Sequence, residues 1–483
     1  MNTTAIILII VVYLTIMIGV GLYAKTKIKN NEDYHLAGRR LGVIMMAGTL
    51  AATEIGGGSS VGVAAKAYGD WGLSAGWYVV AAGIAIVLVC FVAPAMRRSM
   101  ATTVPEVIGR RYGRASQTIT AVLALLAQVA LTGVQITATA TIISTLAGWN
   151  FVVSILVTGV IVIFYTWIGG MWSVTLTDFI QFFLIVGGFA VALPIALHNA
   201  GGWGEVVANL PEGQLGFTKI GWPTIIGLVV LYFMTFSTGQ EAVQRYYSAR
   251  SPKAAVYGSL LCGTLMTIYA FIPALLGLIA LAVYPGIEPN SALATVSTGL
   301  LPAVIAGLLL SAIMSATLSS ASGNMLAASS IFVKDIMPLF KKAITPEKEL
   351  SISRLAVLVA GLIATGISLG SQAIIPLLVF AFTLRSAGPF SAYIYALLTR
   401  KSSHTAGLAS IVVGSVAGIA WQFTDSLWHL DPIIVGAGLG FITFFIINTI
   451  SRRRGTLAGD TSGPRAQDRD ENGGGAEAPA VSS

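Results

Sequence analysis

A backbone that leaves water must hydrogen-bond to itself, so a run of roughly 20 apolar residues has one way to cross a bilayer, the helix. This chain of 483 residues presents thirteen such runs. By that length rule they fall at about 4–25, 42–67, 73–97, 116–147, 151–170, 173–199, 221–247, 254–284, 301–334, 352–371, 374–398, 404–423 and 431–451. Composition agrees: 55% of the residues are hydrophobic and 10% charged, with a mean hydropathy of +0.82, which excludes an ordinary water-soluble globule. The spacing predicts an all-α polytopic membrane protein. The first run has no basic residue before it and no small-residue cleavage site after it, so it is expected to be a retained span and not a removable signal peptide.

Basic residues decide the orientation. With the N-terminus outside, the inner loops hold Lys25, Lys27, Lys29, Arg39 and Arg40, then Arg97, Arg98, Arg110, Arg111 and Arg114, then Arg245, Arg250 and Lys253. They go on with Lys334, Lys341, Lys342, Lys348 and Arg354, then Arg400 and Lys401, and end with Arg452, Arg453 and Arg454, whereas the outer loops hold only Lys219. That asymmetry predicts an N-out, C-in topology. It also turns the formal charge of +8 into a topology signal, with no nucleic-acid partner implied. Lys66 and Arg385 fall inside spans and are flagged, because intramembrane charge is expensive. Residues 1–451 are expected to form the membrane domain; 452–483, rich in Gly, Asp, Ala, Pro and Ser, read as a disordered cytoplasmic tail. Cys90, Cys262 and the scattered His35, His198, His404 and His429 suggest neither a disulfide framework nor a metal cluster. Without a nucleophile beside a histidine or metal, no enzyme is expected.

Setting aside the first run and the last two leaves ten, which divide into halves of five, 42–199 and 221–398. The first helix of each half is interrupted. One contains AATEIGGGSSVG from Ala51 and the other TFSTGQEAVQR from Thr235, which puts Glu54 and Glu241 in apolar surroundings. Glycine unwinds a helix cheaply, and irregular backbone survives in a bilayer only around a cavity, so paired interruptions point to an inverted-repeat transporter with its site at mid-depth. The competing role for such glycines is close helix packing. A second cluster, SAIMSATLSSASGNMLAASS from Ser311, places Ser319 and Ser320 three and four residues after Ala316, converging oxygens on one face. Those hydroxyls could instead bond their own helix.

GGMWSVTLTDFIQ (169–181), DYHLAGRRLG (33–42), GTLAATEIGGG (48–58) and QRYYSAR (244–250), together with the serine cluster, resemble the sodium:solute symporter family over roughly residues 5–450. The resemblance implies a LeuT-type fold of thirteen helices and sodium-driven uptake of small solutes by alternating access. It places a sodium site on the carbonyls of Ala52, Ile55 and Ala316 and the hydroxyls of Ser319 and Ser320. A second sodium site, present in some members, would use Asp178, Ser319 and Ser322, with Gly323 where a further hydroxyl is sometimes found. Asp178 also reads as an interfacial carboxylate. Within the family the pattern is most similar to the high-affinity choline transporters, but a choline site like theirs needs tryptophans, and Glu54 and Gly239 stand at the aligned positions.

Sodium and a small polar solute are thus the expected cargo, in a multi-pass protein of a bacterial plasma membrane, with oligomeric state left open. The expected solute pocket comprises Glu54, Gly56, Gly57, Gly58, Ser59, Gln135, Tyr232, Thr235, Phe236 and Gln240. Ser60, Trp77 and Tyr78 are further candidates, the last two also fitting an interfacial aromatic belt. Glu54 has three readings: partner of a protonated amine on the solute, internal partner of Arg385 or Lys66, or a proton carrier. The first favours an amine-bearing cation or zwitterion, such as a polyamine, an amino acid or a choline-like solute. Alternatives are a carboxylate held by Arg385, a neutral solute, a transporter-like sensor or a channel.

Overall fold

The computed structural model describes residues 3–28, 30–340, 345–370, 374–399, 402–424 and 431–454. Helices occupy every apolar run. In chain order they are α1 (Thr3–Lys25), α2 (Val43–Glu54), α3 (Val63–Tyr68), α4 (Trp77–Val89), α5 (Arg114–Ala147), α6 (Phe151–Asn199), α7 (Trp222–Thr238) and α8 (Gln240–Ser248). They continue with α9 (Pro252–Tyr269), α10 (Phe271–Val283), α11 (Ala303–Ile331), α12 (Pro346–Gly370), α13 (Ile374–Ser386), α14 (Pro389–Leu398), α15 (His404–Gln422) and α16 (Pro432–Arg453). Among the described residues, eight helical stretches are long and apolar enough to span a bilayer, or ten if each of two bent pairs counts as one span. Leu8–Ala24, Val43–Glu54 and Phe151–Phe164 are shorter apolar helices. The expected tail lies outside the described residues beyond Arg454.

Three interruptions shape the molecule. Between α2 and α3 the chain leaves the helix at Ile55 and re-enters through a wide helical turn at Gly58–Gly62. α7 and α8 meet at Gly239 with a bend of 57°. A 45° bend between α13 and α14 interrupts the run 374–398, for which the length rule predicts a single span. The fifth and sixth runs differ in another way: they form one 49-residue helix, α6, with a kink at Gly170 where a connecting loop was expected. At 1.5 Å per residue such a helix would reach about 74 Å, more than twice the hydrocarbon thickness, so a sharp turn is obligatory. Gly170 supplies it at φ +51°, and Tyr34 packs so closely there that a Cβ would sit 2.5 Å from its ring.

Two packed groups face each other. α2, α4, α7, α8 and α9 pack among themselves, as do α5, α6, α11 and α12. Their shared seam is where α2 and α8 touch α11 and α2 touches α6. Loops that alternate along the sequence also collect at opposite ends. At one end Arg250 N–H donates to Leu41 O (2.9 Å), Arg39 Nη1 to Tyr247 O (3.1 Å) and Ala101 O (3.2 Å), Arg111 Nη2 to Thr399 O (2.8 Å) and Arg114 Nη2 to Pro338 O (3.0 Å). At the other, Trp77 Nε1 reaches Phe217 O (2.9 Å), Asn199 Nδ2 reaches Leu300 O (2.7 Å) and Tyr68 OH reaches Tyr284 O (3.0 Å). The first end is the basic one.

Candidate functional site

The break after α2 is built by diverted hydrogen bonds. In a continuous helix the N–H of Gly56 would serve the carbonyl of Ala52, but here it donates to Ser59 Oγ (3.1 Å), and Ser59 Oγ–H in turn caps Glu54 O (2.6 Å). Gly57 N–H goes to Gln135 Oε1 on α5 (2.8 Å). The α2 carbonyls at this end are thereby released. Ser320 of α11 reaches one of them, with its hydroxyl 2.5 Å from Thr53 O and 3.0 Å from Ala316 O. A Cβ on Gly56 would lie 2.6 Å from Ser320 Oγ, so only glycine lets the backbone approach this hydroxyl.

The expected sodium ligands sit at this seam. Ala52, Ile55, Ala316 and Ser319 are fully buried and Ser320 nearly so. Ser319 points to α6, donating its proton to a carboxylate oxygen of Asp178, which leaves its own lone pairs free. The carbonyls of Ala52 and Ile55 at the break, the Ala316 carbonyl with a lone pair beyond its bond from Ser320, and hydroxyl oxygens whose protons are used elsewhere make an oxygen-only donor set, the chemistry that a hard monovalent cation takes.

The expected second sodium site has a different occupant. Asp178 is completely buried and ion-paired with Arg245 of α8 (Nη2–Oδ2 3.1 Å), and it also accepts Thr49 Oγ1–H (2.5 Å). Arg245, 1% exposed, further donates from Nε to Thr49 O (3.2 Å) and from Nη1 to Glu241 O (2.6 Å). Arg245 is therefore no loop cation, as the topology count had it, but an internal one. Ser322 turns its hydroxyl back to Leu318 O (2.6 Å), and the guanidinium lies over Gly323, 3.5 Å from where a Cβ would stand.

Beside the break lies a cavity of ≈ 50 Å³ between the two packed groups. Glu54, Gly56, Gly58, Ser59, Gln135, Tyr232 and Phe236 of the expected pocket line it, as does Tyr78. Ser60 instead bonds Tyr269 OH (3.0 Å), and Trp77 packs edge-on against Phe217 and Trp222, as belt residues do. Three expected residues are not on the wall. Gly57 is backed against Ala138 and Gln135, Thr235 is buried away from the wall, and Gln240 clasps the start of the helix Val104–Tyr112 through Val104 N (2.9 Å) and Thr102 O (2.8 Å).

Neither internal partner expected for Glu54 is used. Arg385 is 2% exposed and pairs through Nη1 with Glu241, which also accepts Gln128 Nε2–H (2.6 Å). Lys66 lies over the Trp71 ring, 4.1 Å from its centroid. Among the described residues the charged groups on the cavity wall are Glu54 and Glu241; Glu241 is neutralised by Arg385, and Glu54 Oε1 is buried without a hydrogen-bond partner. Sequence reading noted Glu241 but gave it no role, and it missed Gln128, Asn324 and Phe382. Glu241 and Gln128 carried a usable signal, since each puts a polar side chain in an apolar helix and so demands a partner.

The sequence model described as the sodium:solute symporter family matches residues 34–414. The chain is similar to a sodium/sialic acid symporter of Proteus mirabilis, 25% identical over 457 residues that cover 88% of this chain and 91% of the relative. A sodium/proline symporter of Staphylococcus aureus is likewise 25% identical, over 93% of each chain. Among solved structures, a sodium-coupled sialic acid symporter in a substrate-bound outward-open state superimposes with a TM-score of 0.80 at 21% identity, covering 95% of this chain and 99% of that one. These relatives lend no support to the choline-transporter subgroup.

Proposed function

The chain belongs to the sodium:solute symporter family, and from that premise we propose that it couples sodium entry to uptake of a small solute bearing a protonated primary or secondary amine. The sialic acid and proline named for its relatives differ in chemistry, so the solute is read from the cavity. The observation that carries the reading is Glu54 Oε1, buried on the cavity wall with no partner among the described residues. A carboxylate there is stabilised by a cation that can also donate a hydrogen bond. Four rings, Tyr78, Tyr232, Phe236 and Phe382, line the same wall, and aromatic faces favour positive charge; that of Phe382 already carries the Arg385 guanidinium. A quaternary ammonium would satisfy the rings but offers Oε1 no N–H, whereas a primary or secondary amine brings charge and donor in one group. Arg385 is outside the cavity lining and pairs through Nη1 with Glu241, although its Nε and Nη2 are buried without a hydrogen-bond partner, so a carboxylate is the second reading of the pocket.

The transport cycle we infer is alternating access in a LeuT-type inverted repeat of thirteen spans, N-terminus outside and basic end inside. Sodium held by Ala52, Ile55, Ala316, Ser319 and Ser320 would tie α2 to α11 and so hold the seam together, raising affinity in the adjoining pocket. By reciprocity the solute raises sodium affinity by the same factor. The test is binding of a panel of amines, amino acids and carboxylates to purified protein, with and without sodium. An amine is expected to bind in a sodium-dependent manner. Glu54→Gln is expected to weaken it roughly ten- to a hundredfold, the worth of a charged hydrogen bond of about 1.5–3 kcal/mol, while sodium binding persists. Unchanged amine affinity in that variant would sink the assignment.

A further inference from the structure

We propose that the Arg245 guanidinium is the fixed cation of the Asp178 site, so that this transporter binds one sodium ion, and that Asp178 acts on that ion as a positioning residue for Ser319. The inference rests on the sodium-coupled reading above and sharpens it to a stoichiometry. Asp178 lies in the apolar stretch Gly170–Asn199, completely buried inside the protein, and its charge is met by Arg245 of α8, itself 1% exposed and anchored by Thr49 O and Glu241 O. All three guanidinium nitrogens are engaged, Nε with Thr49 O, Nη1 with Glu241 O and Nη2 with Asp178. A sodium ion arriving at Asp178 would meet a carboxylate already neutralised and a positive charge within contact distance, a repulsion that the low-dielectric interior strengthens. Ser322, the other side chain such a site would need, donates its proton to Leu318 O and keeps its lone pairs, so it is the Arg245 charge that excludes the ion.

The same cluster serves the remaining ion. A hydroxyl has one proton and two lone pairs, so fixing the proton fixes where the lone pairs point. Asp178 takes the proton of Ser319, as Thr53 O and Ala316 O take that of Ser320. Both hydroxyl oxygens can then face a cation beside Ala52 as pure acceptors. Outer-shell partners of this kind set ligand orientation and cation affinity.

The experiment counts radioactive sodium bound at equilibrium to the purified full chain, with no solute, so it does not depend on the solute's identity. The wild type is expected to bind one sodium per chain with a Hill coefficient of one. Arg245→Lys, which keeps the positive charge, retains the count of one, and Arg245→Gln raises it to two. Asp178→Asn keeps one ion but weakens it about ten- to a hundredfold, whereas Ser322→Ala changes neither count nor affinity. Two ions in the wild type, or a folded Arg245→Gln variant that still binds one, overturns the proposal and leaves sodium coupling standing. No sodium at all in the wild type overturns both. If Arg245→Gln fails to fold, the wild-type count decides.

Discussion

Arg385 and Glu241 show how a single residue is read correctly in kind and wrongly in partner. An arginine in the eleventh apolar run had to be paired, because isolated charge in a bilayer is costly. The sequence offered Glu54 as partner, because both are ionisable residues inside apolar runs; that much is legible in a sequence, but the direction a side chain takes around the helix axis is settled by packing. The bends at Gly239 and between α13 and α14 bring Arg385 onto Glu241, with its guanidinium 4.8 Å from the Phe382 ring centroid and only 2.8 Å from where a Cβ on Gly239 would stand. A glycine at 239, where the choline-type pattern has an aromatic, is thus the space this arginine occupies. Removing one member of a buried pair strands the other charge, so Arg385→Ala is expected to destabilise the fold by about 3–5 kcal/mol. The double replacement Glu241→Gln with Arg385→Gln should cost much less. Thermal midpoints of the detergent-purified variants decide the point; equal losses in single and double variants would show that the pair is not what stabilises this seam.

At the scale of elements, the apolar runs fixed where helices lie because a membrane helix must satisfy its backbone internally. Breaks were legible where glycine coincided with polar residues, as in AATEIGGGSSVG and at Gly239. The bend before Pro389 was missed although Arg385, Ser386 and the Gly388-Pro389 pair mark it, whereas the kink at Gly170 has a tertiary cause in the Tyr34 ring packed against it. The helix Asn31–Leu36 makes the same point. It reads as a polar lead-in, yet its His35 is buried at the basic end between Ser330 of α11 (Nδ1–Oγ 2.7 Å) and Ser353 of α12 (Nε2–Oγ 3.1 Å). Burial, helped by nearby Lys334, pushes the imidazole down to about 3 from its ordinary 6.5. The unfolded chain therefore binds the extra proton between these values and the folded chain does not, so stability rises with pH across that window. The contribution is complete above 6.5 and is lost as pH falls towards 3. We expect the melting temperature to drop on acidification below 6.5, and His35→Gln, which retains a donor and an acceptor for the two serines, to flatten the profile. An unchanged profile in that variant would assign the acid sensitivity elsewhere.

For the whole molecule the decisive quantity is the cavity of ≈ 50 Å³, far below the roughly 300 Å³ at which pockets for small solutes begin. A solute can enter only if the two packed groups part, and the seam between them is what must open. At the basic end that seam is closed by Gln244 of α8, whose amide donates to Ser330 Oγ of α11 (3.1 Å) and to His35 O, all of them buried. Sodium bound between α2 and α11 would bridge the same two groups from the site side. It should therefore favour the closed seam over any state in which Ser330 meets water, and a ligand shifts such an equilibrium by the ratio of its affinities for the two states. In a background with Cys90 and Cys262 replaced, Ser330→Cys should react with a maleimide slowly in sodium and about fivefold or more faster in potassium, the low end of ordinary coupling free energies. The reagent must reach the residue from the basic end, so labelling in oriented membranes also tests which side that end faces. Equal rates in the two salts would mean that the ion does not bridge the groups, and would move the sodium site away from the α2–α11 seam.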